Sequence, residues 1–191
     1  GHEPEHRVRV HVGGADEWRH FTQWPPSGTN ELRLHLGPEA LGDEPGAGSS
    51  TFHYDPADPT PSYGGQLQSP SQGERDNARL ERRTDVLVFS TDPLTAAVDV
   101  LGHVRVEVDV MFTAVSADLF VRLCGGHVTL AMSDTAHRFH AGHRIRLLVS
   151  GGAHPYRARN YGTGEPLATA TRMIVNDTTV QHTSALVLSV L

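Results

Sequence analysis

The sequence contains no lysine. All 16 basic residues are arginine, set against 22 acidic ones, for a formal net charge of −6. A nucleic-acid binder would carry an excess of cations on one face, so that class of partner is excluded. The densest basic stretch, ERDNARLERRTD (Glu74–Asp85), balances its four Arg with Glu74, Asp76, Glu81 and Asp85 and reads as an ion-paired surface. A lone cysteine, Cys124, rules out an intramolecular disulfide. No apolar run nears the roughly 20 residues a membrane helix needs, and no signal peptide opens the chain. The expectation is a soluble, cytoplasmic protein with no membrane partner. Aromatics are also sparse, at 6% of the residues. The first methionine is Met111 and the chain opens on Gly1, as a domain cut from a longer protein or a start processed before Gly would.

Helical periodicity is equally scarce, and alternation fills its place. Val8, Val10 and Val12 alternate with Arg9 and His11, and Leu32, Leu34 and Leu36 with Arg33 and His35. Val104, Val106, Val108 and Val110 form the clearest series, followed by Leu119, Val121 and Leu123 and by Ile145, Leu147 and Val149. Shorter candidates lie at 85–89, 98–101, 128–132, 172–175 and 185–191. About ten short strands, each with one apolar face, predict an all-β fold: a two-sheet jelly-roll sandwich, galactose-binding-domain-like, with long ordered loops. The one helix-start signal is TDPL (Thr91–Leu94), with room for a single turn. Gly125-Gly126 between two alternating runs predicts a tight hairpin.

Constellations of reactive residues are missing as well. His137, His140 and His143 recur every third residue, but on a strand that spacing sends neighbours to opposite faces, so turn and surface histidines are expected rather than a metal site. No G-x-S-x-G pentapeptide occurs, no helix follows the glycine pairs to hold phosphate, and nothing activates Cys124. No catalytic residue, metal or cofactor is expected.

Two features remain. Trp18 and Trp24 lie in DEWRHFTQWPP, either covering a sandwich edge or lining a surface that faces a partner or substrate. FHYDPADPTPSYGG (Phe52–Gly65) is too proline-rich for a strand or helix and too rigid for a linker. Asp55 and Asp58 can bond neighbouring backbone to set its turns, Pro56, Pro59 and Pro61 stiffen it, and Tyr54 and Tyr63 offer flat contact area.

Taken in order, several segments resemble the C-terminal jelly-roll domain of the CocE/NonD serine hydrolases, which X-Pro dipeptidyl peptidases share. VRVHVGGADEWRHFTQWPP (Val8–Pro26) is similar to the junction with the preceding α/β-hydrolase domain, and YDPADPTPSYGG (Tyr54–Gly65) to the family's signature loop. RTDVLVFSTDPL (Arg83–Leu94), VLGHVRVEVDV (Val100–Val110), residues 135–160 and QHTSALVLSVL (Gln181–Leu191) are similar to the strands that follow. The family carries a longer segment where Gly125-Gly126 alone stand here. The resemblance implies residues 1–26 as the junction and 27–191 as the sandwich. It also implies a Ser-His-Asp hydrolase whose triad lies entirely in the other domain, so this chain alone should hydrolyse nothing. The α/β-hydrolase domain is then the expected partner, with Trp18, Trp24, Tyr54, Asp55, Asp58 and Tyr63 as interdomain or cleft-facing candidates. That the loop merely caps one end of the sandwich stands beside this reading. So do a free-standing carbohydrate-binding module and a homo-oligomer formed through an exposed docking face.

Overall fold

A computed structural model describes residues 7–63, 76–125, 128–130 and 134–191. Among these residues lie fourteen strands and one short helix. The strands are β1 (Val8–Val12), β2 (Glu17–Phe21), β3 (Asn30–Leu36), β4 (Leu41–Gly42), β5 (Ser49–Tyr54), β6 (Val86–Ser90), β7 (Val98–Glu107), β8 (Val110–Phe112), β9 (Phe120–Gly125), β10 (Val128–Leu130), β11 (Thr135–Phe139), β12 (Ile145–Ser150), β13 (Asn176–Gln181) and β14 (Ala185–Val190). The helix, α1, is Ala78–Glu81.

One sheet runs β11-β7-β14-β3-β4, and the facing layer is built from β10-β9-β12-β6 and β5-β13-β8, all with antiparallel neighbours. The alternation explains the core between them. Leu34 and Leu36, Val100 and Val104, Leu186 and Leu188 point inward from one sheet, and Phe52, Phe89, Leu123, Leu147, Val149 and Val180 meet them from the other layer. The fold is the expected all-β sandwich. On the outer side of β12 a smaller cluster forms, where Leu148, Val86, Cys124 and Leu80 of α1 pack with Tyr63 and Val88. Strand β12 is therefore buried on both faces, and its run of four buried residues at 147–150 lacks the alternation of a one-sided strand.

Several local expectations change. TDPL forms no helix because its polar groups are used across the fold. Thr91 Oγ1 accepts from Ile145 N at 3.1 Å, and Leu94 N donates to the His143 carbonyl at 2.8 Å. The single helical turn falls instead at 78–81. Residues 172–175 are not a strand; β13 begins only at Asn176. The valine series breaks after Glu107, leaving Val108 exposed while Val110 joins a different sheet. The hairpin of β9 and β10 is present, with Gly125 itself paired to Val128, one position later than the glycine-pair turn predicted. Gly126 lies outside the described residues. Residues 17–21, for which no strand is expected, pair antiparallel with β1 as a two-stranded sheet.

Candidate interdomain surface

The proline-rich loop begins where β5 ends. Tyr54 is the last inward residue of that strand and is 4% exposed, with its ring laid on the backbone of Gly151 and Gly152. A β-carbon at Gly151 would come within 2.7 Å of Tyr54 Cγ, so only glycine fits there. The Tyr54 hydroxyl has no hydrogen-bond partner among the described residues. Burial, reinforced by the Asp118 carboxylate, pushes its pKa up to about 12.

Beyond Tyr54 the loop is tied down at every turn. Asp55 Oδ1 accepts from Ala57 N at 2.8 Å, and Asp58 N donates to the Asp55 carbonyl at 3.1 Å. Arg83 is the hub. Its Nε and Nη2 donate to the buried Asp85 carboxylate at 2.6 and 3.0 Å, and Nη2 also reaches Asp58 Oδ2 at 3.1 Å. The fully buried Thr60 hydroxyl donates to Asp85 at 2.6 Å. Residues 60–62 then pair with His154: His154 N donates to the Thr60 carbonyl and Ser62 N to the His154 carbonyl. Tyr63 packs on the outer cluster, and its carbonyl accepts from Arg122, whose guanidinium is held below its usual pKa by burial. A cleft of about 400 Å3 remains beside the loop, lined by His53, Asp55, Asp58, Arg82, Arg83, Thr84 and Asp85.

The tryptophans sit elsewhere, on the β1–β2 hairpin. Trp18 is 55% exposed, with the Arg9 guanidinium 4.3 Å over its ring and His11 against its edge. Trp24 is half-buried and donates its indole N–H to Asp134 at 2.7 Å. The hairpin is fastened to the sandwich by Arg19, which donates to the Asp99 carboxylate that Arg138 of β11 also holds, and by the Gly13–Gly14 turn pressed against β11. Gly14 has φ +76°, and a β-carbon there would lie 2.3 Å from the Arg138 carbonyl. Hydrogen bonds from Arg138 and then Arg19 hold the Asp99 carboxyl below its ordinary pKa.

The six candidates therefore divide. Trp18 and Asp58 present side chains to solvent, while Trp24, Tyr54, Asp55 and Tyr63 are largely occupied within the chain. Among the described residues, no hydrogen bond or ring contact joins the tryptophans to the loop. Of the three spaced histidines, His137 is buried on β11 beside Phe139, against the expectation of a surface residue, and burial lowers its pKa. His140 and His143 are exposed, and no three-residue metal grouping occurs among the described residues.

Large apolar side chains are exposed on other segments. Met111 and Phe112 lie on β8, the outer strand of its sheet; Val115 follows, 81% exposed, with Leu167, Met173 and Val175 also exposed. The segments that carry them are woven together. Asn176 Oδ1 accepts from Thr113 N and Ala114 N, Ser116 Oγ donates to Asn160 and accepts from Gly164 N, and Ile174 N donates to the Tyr161 carbonyl. Sequence reasoning missed these positions because it placed Met173 and Val175 in a candidate strand at 172–175 and found no pattern at Val115 and Leu167.

Comparison with known proteins gives this arrangement a context. The family model for the X-Pro dipeptidyl-peptidase C-terminal non-catalytic domain matches residues 1–124 and 127–187. A cocaine esterase of Rhodococcus sp. (strain MB1 Bresler) is 32% identical over 210 aligned positions, which cover 85% of this chain and 37% of that protein. Among solved structures, an aminopeptidase from the marine sediment archaeon Thaumarchaeota archaeon superposes with a TM-score of 0.84 at 20% identity, over 97% of this chain and 40% of that one. An α-amino acid ester hydrolase gives a TM-score of 0.83 at 19% identity, over 96% and 41%. At these identities the structures establish the fold. The chain spans about two fifths of the length of the proteins it matches.

Proposed function

Since this chain belongs to the family of X-Pro dipeptidyl-peptidase C-terminal non-catalytic domains, we propose that it is the accessory β-sandwich of a serine hydrolase, packed on an α/β-hydrolase domain whose cleft it helps to wall. The observation that carries this reading is the exposure of large apolar side chains on β8 and the loops beside it, Met111, Phe112, Val115, Leu167, Met173 and Val175. The matched relatives are more than twice as long as this chain, which supports a companion domain as the occupant. An outer strand bearing large apolar side chains is a liability unless something packs on it. Trp18, Trp24, Tyr54, Asp55, Asp58 and Tyr63 border the interdomain surface or the cleft. Trp18 and Asp58 face outward, and the other four fix the shape of the backbone that carries them. A loop already held by Arg83 and Asp85 loses little entropy on docking. The hydrolase acts on esters, amides or N-terminal X-Pro peptides, and its nucleophile belongs to the companion.

The test is the full-length protein with Val115→Asp and Met173→Asp together. Protease sensitivity between the two parts is expected to rise, and hydrolysis of a simple ester to be lost at a lower temperature. Unaltered behaviour on both counts sinks the docking face.

A further inference from the structure

A cleft of about 460 Å3 opens between β5 and β6, the outer strands of the two sheets in one layer. Ser50 lines it, together with Glu39, Glu81, Arg146 and the length of β6. Ser50 Oγ lies 2.9 Å from His182 Nε2, and His182 Nδ1 lies 2.9 Å from the Ala47 carbonyl oxygen. A carbonyl only accepts, so Nδ1 carries the imidazole proton. Nε2 therefore presents its lone pair, and the Ser50 hydroxyl donates to it. The His182 ring has no freedom to leave this position. The residue is 3% exposed, and its backbone N–H donates to the Gly48 carbonyl at 3.0 Å. A serine hydroxyl on an imidazole lone pair, with the imidazole oriented from behind by a fixed acceptor, is the arrangement that activates a serine for attack. Arg146 and Glu81 line the same wall as an ion pair 3.0 Å apart.

We propose that Ser50, with His182 as its base, is a nucleophilic serine that accepts the acyl group of a small activated ester entering this cleft. Ser50 Oγ forms a bond to the ester carbonyl carbon while its proton passes to His182 Nε2. The carbonyl carbon's bond to the leaving oxygen then breaks, and that oxygen takes the proton back from His182. The products are an acylated Ser50, a neutral imidazole and the free alcohol. The step is stoichiometric and stands apart from docking, so neither reading falls with the other.

The probe is p-nitrophenyl acetate, applied to the full-length protein, with the adduct localised by fragmentation of the peptide that holds Ser49 and Ser50. Localisation keeps the result independent of any other reactive serine. Native Ser50 is expected to acetylate at least about 100-fold faster than the same residue in urea, the gain a positioned general base supplies. Ser50→Ala should abolish the adduct, and His182→Gln should return the rate to that of the unfolded chain. If His182→Gln does not fold, the native-to-unfolded ratio decides alone. A native rate no faster than the unfolded one, or an adduct on Ser49 instead, overturns the proposal.

Discussion

The proline-rich loop at 54–63 and the apolar face around Val115 are opposites. The loop has the composition of a contact surface, yet the chain itself consumes most of its contact area: Tyr54 is buried, Thr60 is fully buried and Asp58 is held by Arg83. The face has an unremarkable composition, yet Val115 is 81% exposed and Met111 59%. Rigidity and availability are separate properties. A loop becomes rigid by spending its polar groups internally, which leaves fewer of them for a partner.

The largest effect that would sharpen this contrast is expected at Asp85. Asp85→Ala strands the buried Thr60 hydroxyl and the Arg83 guanidinium together, and it should cost about 2–4 kcal/mol in denaturant unfolding. A cost below 1 kcal/mol would mean that the loop does not depend on this hub.

Tyr54 gives the next effect, through pH. Its folded pKa of about 12 lies above the ordinary value of 10, so between these limits the unfolded chain loses a proton that the folded chain keeps. Stability must then fall as pH rises above 10, by up to about 1.4 kcal/mol per pH unit from this group. Tyr54→Phe should remove that component of the slope. At neutral pH the same variant should be neutral or stabilising by up to about 1 kcal/mol, because it deletes a buried hydroxyl that has no partner among the described residues. A loss of more than 1 kcal/mol would reveal a bond to that oxygen.

The smallest effect is expected on the apolar face. Val115→Ser and Met173→Ser should each change the stability of this chain by no more than about 0.5 kcal/mol, since exposed side chains contribute little to folding. Larger losses would place these residues in the chain's own core.

The sheets were legible in the sequence wherever apolar residues alternate, as at Leu32–Leu36 and Ile145–Val149. Strand β13 was not. Its inward positions are Asn176, Thr178 and Val180, and the two polar ones are buried because they bond each other and neighbouring backbone. Alternation in apolar character vanishes there although alternation in burial persists. The candidate site was legible only in part. Composition located the stiff loop and both tryptophans, but not which side chains remain exposed. That depends on Gly151 lying under Tyr54 and on Asp85 lying beside Arg83, contacts no local pattern encodes.

Methionine oxidation tests the central claim most directly, because Met111 and Met173 are both exposed in this chain. Peroxide converts accessible thioethers to sulfoxides, and peptide mass reports the rate at each position. The docking account predicts that both methionines oxidise several-fold more slowly in the full-length protein than in residues 1–191 alone. Equal oxidation rates of Met111 and Met173 in the two forms would contradict it.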